Sequence, residues 1–80
     1  MIIADVRDYC SKNNLVYVFG IEVDDCVYFC VVDSESSVYT MYKMSDGVVS
    51  EYLSNLSLLQ VRFQKETLLG IGGKLIERVQ

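Results

Sequence analysis

Eighty residues suffice for one domain, spanning 1–80, and are too few for two. Hydrophobic residues make up 51% of the chain and charged ones only 22%, so core material is in excess, and apolar surface that so small a domain cannot cover must meet another chain. The formal net charge of −4 argues against nucleic acid as a direct ligand, because such a chain lacks a phosphate-neutralising surface.

Residues 2–13 place Ile2, Ile3, Val6, Tyr9 and Cys10 on one helical stripe, with Asp5, Arg7, Asp8 and Lys12 on the other side. Acids come early and Lys12 late, as the helix dipole favours, and Asn13-Asn14 supplies a left-handed stop. The segment has no basic region ahead of an apolar stretch, which argues against a signal peptide.

From Leu15 the pattern turns to β-branched and aromatic residues. Leu15–Val23, Cys26–Asp33 and Val38–Met44 read as three strands of an antiparallel meander, turning at Asp24-Asp25 and at Ser34–Ser37. The apolar runs Leu15–Phe19 and Cys26–Val32 fall far short of the roughly 20 residues that span a bilayer, so no membrane is expected. A two-residue turn at Asp24-Asp25 pairs Val23 with Cys26, Ile21 with Tyr28, Phe19 with Cys30 and Tyr17 with Val32. Both faces of the sheet are then apolar. Either the tail or another chain must cover the second one.

Beyond Ser45-Asp46-Gly47, the apolar positions Val48, Val49, Tyr52, Leu53, Leu56 and Leu59 step at helical intervals. That spacing predicts a helix over 48–57, capped by Ser45 or Asp46, with a fourth strand as the competing assignment. Leu58–Phe63 extends that helix or forms a short strand. The three glycines of Leu68–Lys74 break any helix, and Leu75–Val79 suits either type. The expected architecture is α+β: an N-terminal helix, a three-stranded meander, a second helix and an irregular glycine-containing tail. This α-β-β-β-α order is similar to that of the double-stranded RNA-binding domain. Those domains carry lysines at the start of the second helix, whereas Val48, Val49, Ser50 and Glu51 stand there in this chain.

Cys10, Cys26 and Cys30 lack a C-x-x-C spacing, and the chain has no histidine. No metal or cofactor is expected, and the thiols fit the reducing conditions of a cytoplasm. Without histidine, a serine or cysteine nucleophile lacks its usual base, which argues against an enzyme. Gly70-Ile71-Gly72-Gly73-Lys74 does not match a phosphate-binding loop, since Leu75 stands where serine or threonine is needed.

The residues left for function are those that would meet a partner. Glu22, Asp24, Asp25 and Asp46 should gather at one edge of the meander, where four carboxylates suit a basic protein surface. Tyr28 and Phe29 are the large side chains of the central strand, one on each face, and are the candidates for contact through the sheet. In size, acidity, lack of proline and element order, the chain resembles the small acidic proteins of phages and mobile elements that block host machinery, anti-CRISPR proteins among them. The resemblance implies an inhibitor in the host cytoplasm that occupies a basic, nucleic-acid-binding surface of another protein. The alternative is a homodimeric or accessory structural subunit joined through an apolar sheet face.

Overall fold

Asp46 and Gly47 set the plan of the molecule. In the computed structural model, which describes residues 2–33 and 35–76, both residues take the left-handed backbone, at φ 52° and 77°. Two successive positive φ values make the mirror-image turn that matches the twist of an antiparallel hairpin, and Asp-Gly is a preferred pair for it. The chain therefore folds back, and Ser45 pairs with Val48. The order is α1 (Ile2–Lys12), β1 (Leu15–Val23), β2 (Cys26–Asp33), β3 (Tyr39–Ser45), β4 (Val48–Leu56), α2 (Leu58–Gly70) and β5 (Lys74–Ile76). The five strands form one antiparallel sheet in the order β4-β3-β2-β1-β5.

The α+β class holds, but the helix expected over 48–57 is a strand. The reason is in the register. Pairing with β3 slips between Met41 and Tyr42 and again between Tyr39 and Met41, so β4 carries extra residues near Tyr52 and at Ser54-Asn55. Asn55 sits at φ 55°. Each inserted residue turns a two-residue step into a three-residue one, which brings Leu53 and Leu56 onto the same face. A bulged strand thus imitates helical spacing.

The tail is not irregular either. Ser57 starts α2 with a capping box: its Oγ accepts from the Gln60 backbone N–H, while the Gln60 side chain accepts from the Ser57 N–H. Gly72, at φ 100°, carries the chain out of the helix into β5, which pairs with Gly20–Glu22 of β1. Of the segment Leu75–Val79, residues 77–79 lie outside the described residues, as do Ser34 and the Ile2 and Ile3 side chains.

The helices lie on opposite faces of the sheet. On one face, Val6 and Cys10 of α1 press onto Val27, Phe29, Val31 and Met44. On the other, Val61 and Leu68 of α2 cover Phe19, Ile21, Cys30 and Met41. The second apolar face is therefore covered by the tail of the same chain. The register of β1 and β2 agrees with the expected pairing at Val23, Ile21 and Phe19, but Tyr17 meets Val31 and not Val32. A bulge at Val18 causes the shift, and it moves Tyr17 to the α1 face while Phe19 stays on the α2 face.

Candidate functional site

The acidic residues expected at one edge come partly together. Asp24 and Asp25 are exposed in the β1–β2 turn and Asp46 in the β3–β4 turn. Asp25 and Asp46 line a shallow recess of roughly 220 Å³ with Asp5 of α1, Val27, Met44 and Gly47. Asp24 and Glu22 do not line it; Glu22 is half-buried, between Val27 of β2 and Lys74 of β5. Among the described residues, no cluster of cysteine, aspartate and glutamate has the arrangement to hold a metal ion.

Tyr28 and Phe29 point to opposite faces. Tyr28 is half-buried on the α2 face, edge-on to Tyr52 with centroids 5.0 Å apart, and the Lys43 Nζ lies 5.8 Å from its ring centre. Phe29 is 0% exposed beneath α1, edge-on to Tyr9 at 6.0 Å and stacked with Tyr42 at 5.6 Å. The expectation that Phe29 contacts a partner is corrected by this burial. Strand alternation sends it into the core that α1 closes.

An exposed apolar surface lies on the outer side of α2, away from the residues expected to meet a partner. Val61 and Leu68, seven residues apart, face the sheet. Leu59 and Phe63, four residues apart, are on the opposite side of the helix and are 76% and 66% exposed. Leu58, Leu69 and Ile71 are also exposed. Apolar residues thus occur on several sides of the helix, interspersed with Arg62, Lys65 and Glu66. An ordinary surface helix confines apolar residues to one stripe. That spread, visible in Leu58-Leu59-Gln60-Val61-Arg62-Phe63, was the available clue.

Between this helix and the β4 edge of the sheet runs a cleft of roughly 450 Å³, lined by Leu53, Leu56, Leu59, Gln60, Phe63 and Gln64. Its walls are leucine and phenylalanine, with two glutamine side chains for hydrogen bonding. Among the described residues, no charged side chain lines it. Arg62 is exposed on α2, Lys43 lies on the same face of the sheet through its contact with Tyr28, and the Lys65 Nζ lies 5.4 Å from the Phe19 ring centre. Glu66 is the acid on α2. The α1 side carries Asp5, Asp8, Asp25 and Asp46 together with Arg7 and Lys12.

The shifted titrations belong to the core and not to this cleft. Burial pushes the Cys30 thiol up to about 12 and raises Cys10 as well. Tyr17 rises to about 12 through burial and through its proximity to Cys10. Tyr42 rises through burial, with Tyr9 and Glu51 adding to the effect. All four groups are held neutral at ordinary pH, so neither buried thiol is poised as a nucleophile.

Comparison with protein-family models, with curated proteins and with solved structures gives no match.

Proposed function

We propose that this chain is a protein-binding module whose docking surface is the apolar cleft between α2 and β4. One observation carries the reading: the sides of Leu59 and Phe63 that face away from the sheet are exposed to water, next to a concave apolar wall. Burying such side chains against a partner is favourable by about 25 cal/mol for each Å² of apolar area. Exposed apolar patches beside a groove are the usual anchor points of protein contacts.

The double variant Leu59→Ser/Phe63→Ser tests it. Both side chains point away from the core, so the variant should melt within a few degrees of the parent. Used as bait in extracts of the source cell, the parent should retain a stoichiometric protein partner that the double variant loses. A partner held equally by both would overturn the reading.

A second reading rests on the recess that joins Asp5 to Asp25 and Asp46. It keeps the acidic inhibitor of a basic protein surface as an alternative. In that case Asp25→Lys/Asp46→Lys would lose the partner and Leu59→Ser/Phe63→Ser would keep it.

A further inference from the structure

We draw no further inference here: the strongest candidate, the exposed apolar side of α2 along the α2–β4 cleft, adds nothing to the docking role already proposed, because nothing in the structure shows what covers it.

Discussion

Ser57 and Gln60 hold each other across the first turn of α2. The Ser57 N–H donates to the Gln60 Oε1 at 2.8 Å, and the Gln60 N–H donates to the Ser57 Oγ at 3.3 Å. Two of the amide groups that every helix start leaves unpaired are satisfied by this exchange. It fixes where β4 ends and α2 begins, and hence the width of the cleft between them. Ser57→Ala should cost about 1 kcal/mol in urea unfolding. Gln60→Ala should cost less, since only the Ser57 N–H loses its partner and that N–H is exposed. If Ser57→Ala leaves the unfolding midpoint unchanged, the cap does not set the helix start.

Gly73 is the most tightly enclosed of the five glycines. A Cβ added there would lie 2.5 Å from Ile21 Cγ2 and 2.6 Å from the Leu68 carbonyl oxygen. One of these is backbone and cannot move aside, so even alanine forces β5 away from β1. Gly73→Ala should destabilise by roughly 1–3 kcal/mol, the usual range for overpacking. Gly70→Ala is the control, because a Cβ at Gly70 meets nothing within 4 Å. That substitution should be neutral or slightly stabilising. Equal melting temperatures for the two variants would contradict the packing seen at the α2–β5 junction.

The two hairpins differ in how openly the sequence showed them. Asp24-Asp25 lies between two apolar, β-branched runs, and the register it implies holds at Val23–Cys26, Ile21–Tyr28 and Phe19–Cys30. Asp46-Gly47 is a stronger turn signal, but the spacing beyond it, distorted by the bulges at Tyr52 and Asn55, reads as helix. Periodicity counts residues, and a bulge changes the count without changing the face. The cleft was hidden for a related reason. Its walls come from Leu53 and Leu56 on one side and Leu59 and Phe63 on the other, and assigning both sets to one helix removes the space between them. What the sequence did disclose was the surplus of apolar residues, and the surplus on α2 is where the cleft lies.

The three free cysteines should divide by reactivity. Cys26 is half-buried at the start of β2, whereas Cys10 and Cys30 are 4% and 0% exposed and carry thiols raised by burial. Only thiolate attacks an alkylating or disulfide reagent. At pH 8, mass spectrometry should show Cys26 modified first, with Cys10 and Cys30 following only as the protein opens. Labelling of Cys30 as fast as Cys26 would show that the Ile21–Met41 core is not closed.

Stability should fall at alkaline pH, and two groups set where. Cys30 titrates near 9 when unfolded and about 12 when folded, and Tyr17 goes from 10 to about 12. Above pH 9 the unfolded chain sheds the Cys30 proton while the folded chain keeps it, so each further pH unit favours unfolding by about 1.4 kcal/mol. Tyr17, only partly buried, adds a smaller slope above pH 10. The stabilisation is complete below these values and is lost as pH rises toward 12. Urea midpoints measured across pH 8–11 should bend downward above 9. Cys30→Ala should lower the slope from pH 9 upward, and Tyr17→Phe only above 10. A profile unaltered by either substitution would show that these groups do not control the alkaline limb.

The acidic recess should make the protein more stable in salt than in dilute buffer. Asp5, Asp25 and Asp46 line one recess of roughly 220 Å³, and like charges held together repel unless counterions screen them. By contrast, the Asp33 carboxylate accepts the Glu35 N–H at 2.9 Å and stabilises its own turn. Removing charge should therefore have opposite effects at the two places. Asp46→Asn keeps a residue that tolerates φ 52° and deletes one of the three charges, so its melting temperature should rise, by a few tenths of a kcal/mol in stability. Asp33→Ala should lower it by a comparable amount. Sodium chloride should raise the parent's melting temperature and raise that of Asp46→Asn less, because fewer charges remain to be screened. If salt moves both proteins equally, or if Asp46→Asn melts earlier than the parent, the recess does not concentrate the repulsion.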